Sequence, residues 1–254
     1  MKLIKKLKGN SGALVELVEI NSNFYIKKTN GTKLKKSAEI LQELKSQNFN
    51  TPDIISCSNK CLIMEYINGV DMQSFLENAD NNKIFKIIDF INFYKKIKRT
   101  NKKKNFSYEI YNKINSLKKK INQRYLVFSL EQLYKKLPKI CIDTSIHGDL
   151  TLDNIILKDD KFYLIDANPT DITALEYDVI KIRQDLDCLW FVRDFKNKNN
   201  FKIICDTISS KLKKNWSFFK NDYILIFMLL RIFPYTKDIS TQKFLLKNMN
   251  NLWQ

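Results

Sequence analysis

Short apolar runs separated by polar turns dominate the first quarter of the chain, whereas apolar residues recur every three or four positions over most of the rest. Short apolar runs bounded by polar turns are typical of strands, and the period of three to four residues is typical of amphipathic helices. Before residue 70 the pattern predicts five short strands and one helix. The strands cover residues 1–4, 14–20, 24–27, 54–57 and 61–66, and the helix covers residues 33–47.

Helical periodicity dominates after residue 70. Residues 83–99 place isoleucines on one face, and the polar run from Thr100 to Asn105 predicts a charged loop after that helix. Residues 108–137 predict one long helix or two shorter ones, which end before Pro138. Four more helical patterns cover residues 174–195, 201–212, 223–233 and 241–252.

Composition sets the broad class of the protein. A chain of 254 residues with 44% hydrophobic content can bury a substantial core, as one bilobal domain or two small ones. We find no signal-peptide pattern and no run of about 18 apolar residues, so we expect a cytoplasmic protein. The five cysteines are irregularly spaced, which indicates neither a disulfide framework nor a zinc site.

The formal charge of +17 raises the question of a polyanionic partner. Only five of the 44 basic residues are arginine, the residue whose planar fork suits specific phosphate recognition. A coding bias toward lysine explains such a composition without any function. We therefore expect no specific nucleic-acid partner, while contact with anionic surfaces stays open.

Candidate chemistry is concentrated between Ser145 and Asp166. Asn154 follows Asp149 by five residues, and Asp166 ends an apolar segment. Kinase catalytic loops carry Asp-Leu-x-x-x-Asn, in which the aspartate accepts the substrate proton and the asparagine binds Mg²⁺ together with a later aspartate. The apolar residues 155–157 and 162–165 flank a charged turn and predict a hairpin that brings Asn154 and Asp166 together. This spacing predicts phosphoryl transfer with Mg²⁺ held by oxygen ligands.

The full pattern is His-Gly-Asp-Leu-x-x-x-Asn at 147–154 followed by Ile-Asp at 165–166, and it resembles the aminoglycoside phosphotransferase and choline kinase family. The resemblance implies a protein-kinase-like fold of the α+β class. We expect a small antiparallel five-stranded N-lobe over residues 1–67 and a larger, mainly helical C-lobe over residues 68–254. ATP and Mg²⁺ are the implied cofactors, and a small molecule with a hydroxyl group is the implied acceptor.

The resemblance also implies roles for individual residues. Asp149 is expected to accept the acceptor proton, and the other catalytic-loop residue, His147, is expected to orient the loop. Asn154 and Asp166 are the expected metal ligands. Asp178, at the start of the next helix, is expected to support the loop.

Two assignments in the N-lobe concern charged groups around the phosphates. The strand near residue 26 resembles the Val-Ala-Ile-Lys strand of kinases, and its alternation makes Lys27 the predicted phosphate ligand, with Lys28 as the fallback. Kinases hold this lysine with a glutamate from a neighbouring helix. Glu39 matches the family position best, and Glu43 is the competitor one turn later.

Two further N-lobe segments are assigned to the nucleotide. A glycine-bearing turn is expected to fold over the phosphates, and the strand that ends near residue 66 resembles the hinge that pairs with the adenine edge. The residues assigned to these two segments are Gly9, Ser11, Gly12, Glu65, Tyr66 and Ile67.

The acceptor is predicted from the helix after Asp178. Lys181 and Arg183 lie near the catalytic end of that helix, and two cations in the cleft would favour a neutral or anionic acceptor. We therefore expect a sugar or a carbohydrate intermediate of the cell envelope. Choline, ethanolamine and aminoglycosides are the alternatives, because Asp185 and Asp187 follow in the same helix and suit a cation.

Two other classes of protein remain as alternatives. A protein kinase is disfavoured because only about ten residues separate Asp166 from the next helix, which leaves no room for a peptide-docking activation segment. A kinase-like binding module without activity is disfavoured because Lys27, Asp149, Asn154 and Asp166 are all present.

Overall fold

A five-stranded antiparallel sheet begins the chain in this computed structural model, which describes residues 1–7, 13–77, 79–97, 99–196, 198–236 and 238–253. The sheet has the order β1-β2-β3-β5-β4, and all its neighbouring strands are antiparallel. Its strands are β1 (Lys2–Leu7), β2 (Leu14–Ile20), β3 (Asn23–Thr29), β4 (Ile54–Cys57) and β5 (Cys61–Glu65). The predicted glycine turn with Gly9, Ser11 and Gly12 lies outside the described residues.

Helix α1 (Leu34–Ser46) packs on this sheet. Its residues Leu34, Ala38 and Leu41 recur at helical spacing, are buried, and join Leu62 and Met64 of β5 in one apolar cluster. The predicted N-terminal sheet with one helix is therefore confirmed.

The remaining elements are mainly helical, as predicted. They are listed here in chain order: β6 (Val70–Asp71), α2 (Met72–Glu77), α3 (Asn81–Phe93), β7 (Arg99–Asn105), α4 (Ser107–Lys118), α5 (Leu130–Lys136), β8 (Ile140–Thr144), β9 (Ile155–Lys158), β10 (Lys161–Leu164), α6 (Leu175–Cys188), α7 (Asn199–Asn215), α8 (Asp222–Ile232) and α9 (Ile239–Leu252).

Side-chain caps explain where several helices begin. Asp80 accepts a hydrogen bond of 2.9 Å from the backbone N–H of Lys83 at the start of α3. Ser129 and Gln132 form a reciprocal capping box at the start of α5. The helix predicted over residues 174–195 ends at Cys188, because Leu189 adopts the left-handed conformation with φ 55°.

The predicted charged loop from Thr100 to Asn105 is instead part of strand β7. It pairs with β8 in antiparallel register, with Lys103 opposite Ile142 and Asn105 opposite Ile140. Lysine and asparagine have low strand propensity, so the local sequence does not indicate a strand. Pairing with β8 overrides this low propensity.

Packing divides the chain into two units. The first comprises Met1–Phe75 and Ser145–Thr170, and the second comprises Leu76–Thr144 and Asp171–Gln254. Residues 145–170, here called the motif segment, join the first unit partly because Leu164 donates a backbone hydrogen bond of 2.9 Å to Asn50. The predicted lobes, divided near residue 67, do not coincide with these units. The lobe boundaries remain a prediction.

The core of the second unit is built around α8, whose residues from Ile224 to Leu230 are almost fully buried. This helix carries no charged residue between Tyr223 and Leu230, so it is apolar on all sides, as expected of a helix surrounded by others. Among the described residues, no helix combines the length and apolar character that crossing a membrane requires.

Candidate functional site

The hairpin of β9 and β10 forms the base of the candidate site. Ile155 lies opposite Leu164, and the turn residues Asp159 and Asp160 both have positive φ, which matches the twist of a tight hairpin. The Ile165 N–H donates to the carbonyl of Asn154 over 3.0 Å. The ends of the hairpin, which carry Asn154 and Asp166, therefore lie beside each other.

Asn154 is tied to Asp149. Its side-chain Nδ2 donates to the Asp149 carbonyl oxygen over 2.8 Å and to Asp149 Oδ2 over 3.2 Å. Both side chains are half-buried. Because the NH₂ end of the Asn154 amide is directed to Asp149, its oxygen end is directed away from Asp149 and is available as an acceptor or a metal ligand.

Asp166 has an unusual backbone and an exposed carboxylate. Its φ is 57°, in the left-handed region that aspartate tolerates better than most residues. Its side chain is 53% exposed, and Oδ1 forms an ion pair of 2.6 Å with Nζ of Lys28. Backbone conformations of this kind cluster at functional sites.

At the motif segment the structure places Lys28, the fallback choice, rather than Lys27. Lys28 is 8% exposed and pairs with Asp166, whereas Lys27 Nζ lies 3.6 Å from Glu16 on the adjacent strand β2. The two lysines lie on opposite faces of β3. Alternation shows which residues share a face, but it does not show which face is directed to the motif segment, so the identity of the phosphate-binding lysine remains a prediction.

The predicted pair between this lysine and a glutamate of α1 is absent within the described residues. Glu39 and Glu43 are both exposed, whereas Ala38, next to Glu39 in α1, lies in the core. Burial raises the pKa of the Cys57 thiol and Glu39 raises it further, which puts Glu39 near the edge strand β4. Lys28 has Asp166 as its carboxylate partner instead.

His147 and Gly148 fix the backbone of the loop that carries Asp149. His147 is fully buried, its Nε2 lies 2.7 Å from the Ile165 carbonyl, and its own carbonyl accepts from the Asn168 N–H over 2.9 Å. Gly148 has φ +79°, and an added Cβ would lie 1.8 Å from the Asn168 oxygen. The close backbone approach requires glycine, and His147 orients the loop.

Two contacts between α1 and the motif segment were not predicted. Ser145 Oγ donates to Glu43 Oε1, and Lys33 Nζ donates to the Pro169 carbonyl over 3.2 Å. Each contact joins residues more than 100 positions apart. No local pattern signals such a pair, so sequence reasoning could not identify Ser145 or Lys33.

The end of β5 carries the predicted adenine contacts. The Glu65 N–H donates to the Asp53 carbonyl over 2.8 Å, and the Tyr66 N–H donates to Phe24 over 3.4 Å. In the part of the chain that the structure describes, no backbone acceptor takes the Ile67 N–H. Ile67 is therefore the residue of the three whose N–H is available to a ligand.

The three residues predicted on the helix after the motif segment belong to the second unit. Asp178 is 1% exposed and accepts a hydrogen bond of 2.9 Å from the Tyr94 hydroxyl. Lys181 is 8% exposed. Arg183 is 2% exposed, and its guanidinium pairs with Asp187 and Asp222.

The guanidinium of Arg183 is thus engaged inside the second unit, and its role at the acceptor cleft remains a prediction. Burial disfavours the charged forms of Arg183 and Asp187, but the attraction between them outweighs this cost. The pKa of Asp187 is lowered despite its burial, because Arg183, Ser209 and Lys213 stabilise its charged form. No local sequence pattern indicates these long-range partners of the arginine.

The donor set at the hairpin fits Mg²⁺. Within the described residues, no group of three or more His, Cys, Asp or Glu side chains forms a metal cage. Mg²⁺ in nucleotide sites needs no such cage, because one or two carboxylates, phosphate oxygens and waters complete its octahedron. Asp166 and the outward oxygen of Asn154 supply the oxygen ligands that such a site requires.

No family model and no curated protein matches this chain. Solved structures match it over almost its whole length. A thermostable mutant of the aminoglycoside phosphotransferase APH(4)-Ia has a TM-score of 0.66 and 10% identity, over 99% of this chain and 94% of that one.

Two other solved structures show the same likeness. The Plasmodium vivax ethanolamine kinase has a TM-score of 0.59 and 15% identity, over 98% of this chain and 81% of that one. Amicoumacin kinase hAmiN, solved with AMP-PNP, Ca²⁺ and Ami, has a TM-score of 0.59 and 13% identity, over 98% of this chain and 87% of that one. The predicted resemblance is thus confirmed at the level of fold: this chain has the protein-kinase-like fold of these proteins.

Proposed function

We propose that this protein is an ATP-dependent kinase that transfers the γ-phosphate to a hydroxyl group of a small molecule. One observation carries the proposal: Asp149, Asn154 and Asp166 meet with the buried Lys28 inside the first unit. A general base, an amide ligand, a carboxylate ligand and a cation are the parts that phosphoryl transfer requires. The names of the structural neighbours support the same class of reaction.

Each residue has a distinct task in this proposal. Asp149 accepts the proton of the acceptor hydroxyl while that oxygen bonds to the γ-phosphorus and the bond to ADP breaks. Asn154 holds Asp149 in place. Lys28 exchanges its partner Asp166 for phosphate oxygens. Asp166 and the Asn154 amide oxygen would hold Mg²⁺, which would supply positive charge to offset the charge of the phosphates.

The nucleotide is assigned to the end of β5. We propose that the adenine edge accepts a hydrogen bond from the Ile67 N–H, because the N–H groups of Glu65 and Tyr66 are engaged by neighbouring backbone. ATP is the expected donor. The amicoumacin kinase in the comparison was solved with the ATP analogue AMP-PNP, which agrees with this assignment.

A sugar or a carbohydrate intermediate of the cell envelope remains the proposed acceptor. Arg183 pairs with Asp187 and Asp222, and Lys181 is buried, so neither cation of this helix decides the ranking. Ethanolamine, choline or an aminoglycoside is the second candidate, favoured by the named substrates of two structural neighbours. Turnover of either candidate would satisfy the kinase proposal.

The test is a coupled ADP-release assay on matched panels of sugars, amino alcohols and aminoglycosides. Asp149→Asn should bind ATP almost as well as the wild type and lose at least about a hundredfold in turnover, the scale of a lost general base. Asp166→Ala should instead weaken Mg²⁺-dependent ATP binding. Thermal-shift titration with ATP, with and without Mg²⁺, separates the two effects.

Three outcomes would contradict this proposal. Wild-type turnover in Asp149→Asn would remove the general base from the mechanism. Mg²⁺-dependent ATP binding without turnover of any acceptor would favour a binding module instead. Efficient phosphorylation of proteins, with no activity on small molecules, would assign the fold to the alternative class.

A further inference from the structure

The positive charge of the chain is concentrated in one segment. Residues 95–139 hold 15 of the 44 lysines and arginines but only two of the 27 acidic residues, Glu109 and Glu131. The other residues carry 29 basic and 25 acidic side chains, which nearly balance. A coding bias toward lysine would act along the whole chain. It does not explain why one segment lacks acids.

Most of this segment folds as a small module of the second unit. Strand β7 pairs with β8, and helices α4 and α5 lie between them in sequence. The helices turn Ile110, Ile114 and Leu133 into the apolar core of the unit. The lysines consequently lie on the outer side of the module, as Lys103 and Lys135 do.

Apolar side chains are exposed among these lysines. Tyr108 is 74% exposed, Ile140 is 64% exposed and Tyr111 is 51% exposed. Lys103 and Ile140 lie on the same face of the β7–β8 ribbon, because their strand partners show that both belong to one set of alternating positions. We call this part of the module the lysine–tyrosine face and define it by six residues: Lys103, Tyr108, Tyr111, Lys135, Lys139 and Ile140.

Direct contacts connect this face. The Phe106 N–H donates to the Lys139 carbonyl over 2.7 Å, which joins the start of α4 to the start of β8. Lys139 Nζ lies 4.5 Å from the ring centre of Tyr134, and the Tyr134 and Tyr111 rings meet edge to face at 5.9 Å. Tyr111, Tyr134 and Lys139 are therefore in contact, and Lys139 is joined through the backbone to the start of α4.

Acidic groups do not offset this charge. Glu109 is paired with Lys104 over 3.6 Å, and Glu131 is paired with Lys118. Both acids are thus balanced by lysines of the same segment, and 13 positive charges remain in excess. A surface of this kind attracts a surface of opposite charge.

We propose that the lysine–tyrosine face binds the surface of a membrane that contains anionic phospholipids. Lysines near such a surface are attracted by its negative potential, and tyrosines favour the boundary between headgroups and acyl chains. Ile140 adds an apolar group that can enter this boundary. Of the 15 basic residues 13 are lysine rather than arginine, the residue whose planar fork suits specific phosphate recognition, so the chemistry favours lipid over nucleic acid.

The test is sedimentation of the full chain with vesicles of phosphatidylcholine, with and without phosphatidylglycerol. We expect binding only to the anionic vesicles, with a loss of affinity at high salt. The double variant Lys103→Glu/Lys135→Glu should lose about tenfold or more in affinity. The matched control is Lys2→Glu/Lys5→Glu, which changes the net charge equally on exposed positions of β1 in the first unit. The control should keep wild-type binding.

A second variant tests the apolar contact. Ile140→Ser leaves the charge unchanged and should weaken the binding that persists at high salt. Melting curves followed by circular dichroism check that each variant is folded.

Three outcomes would overturn this proposal. Equal binding to neutral vesicles would remove the role of charge. An equal loss in the β1 control would assign binding to net charge rather than to this face. Tighter binding to a single-stranded RNA oligonucleotide than to vesicles, lost in the face variant, would identify a nucleic-acid partner. None of these measurements involves nucleotide or acceptor, so the kinase proposal stands or falls separately.

Discussion

Each unit contains a pairing between a basic side chain and carboxylates, and the two pairings differ in exposure. Lys28 joins Asp166 in the first unit, where the aspartate is 53% exposed. Arg183 joins Asp187 and Asp222 in the second unit, where the arginine is 2% exposed, Asp187 is 13% exposed and Asp222 is 41% exposed. The exposed carboxylate of Asp166 can be reached by a ligand. The buried pair of Arg183 and Asp187 is already satisfied within the protein.

This difference shows what separates a structural charge from a candidate functional one. Asp187 accepts from Arg183, from Lys213 over 2.9 Å, and from Ser209. Asp166 has Lys28 as its ion-pair partner and keeps a solvent-exposed oxygen surface. A charged group can bind a ligand when it is exposed and its hydrogen-bonding capacity is not already filled by other residues. Its position on the helix after the motif segment does not show this.

The largest expected effect is the loss of stability in Arg183→Ala. Removal of one partner from a buried ion pair leaves uncompensated charge, which typically costs about 3–5 kcal/mol of unfolding free energy. The exposed pair of Lys202 and Asp206 has the same i,i+4 spacing. Lys202→Ala should therefore cost at most about 0.5 kcal/mol. Urea denaturation of both variants measures the contrast, and similar losses in both would contradict it.

The second expected effect is on nucleotide binding. Lys28→Met should weaken ATP binding by about tenfold to a hundredfold, the scale of a charge-assisted hydrogen bond. The neighbouring Lys27→Met is the matched control and should bind ATP nearly as the wild type does. Calorimetric titration measures both affinities. The reverse order would restore Lys27 as the phosphate ligand.

Lys28→Met should have little effect on the unfolding free energy. The Asp166 that Lys28→Met leaves behind is solvent-exposed, so its charge remains hydrated. A loss of stability as large as that of Arg183→Ala would show that the two pairings do not differ as described.

The smallest expected effect concerns acid stability. The pKa of Asp187 is lowered in the folded protein, so the unfolded chain takes up this proton first as the pH falls. Its contribution is therefore present above its ordinary pKa of 3.8 and is lost as the pH falls through its lower folded pKa. The urea midpoint of the wild type should fall below about pH 4 more steeply than that of Asp187→Asn. Parallel curves would contradict this.

Much of the fold could be predicted because its signals are local. The apolar, valine-containing run of β2 and the spacing of Leu34, Ala38 and Leu41 in α1 identify those elements without knowledge of their partners. Strand β7 could not be predicted, because its strand conformation depends on pairing with β8 some 40 residues later.

Part of the candidate site could also be predicted from local sequence patterns. The spacing of Asp149, Asn154 and Asp166 places them at one hairpin, and their geometry follows from that local fold. The choice between Lys27 and Lys28 depends on which face of β3 is directed toward Asp166. That is a property of the tertiary arrangement, which a two-residue period cannot express.

The connection of the motif segment to the second unit has a consequence for folding. The chain enters this segment after Thr144 and leaves it before Thr173, and the Thr144 N–H donates to the Thr173 carbonyl over 2.8 Å. Asp143 and Ala174 form the adjoining bridge. Closing the loop of about 28 residues between Thr144 and Thr173 costs roughly 3 kcal/mol of chain entropy. The bridge offsets part of this cost with contacts inside the second unit, and it holds together the two ends of the segment that carries Asp149.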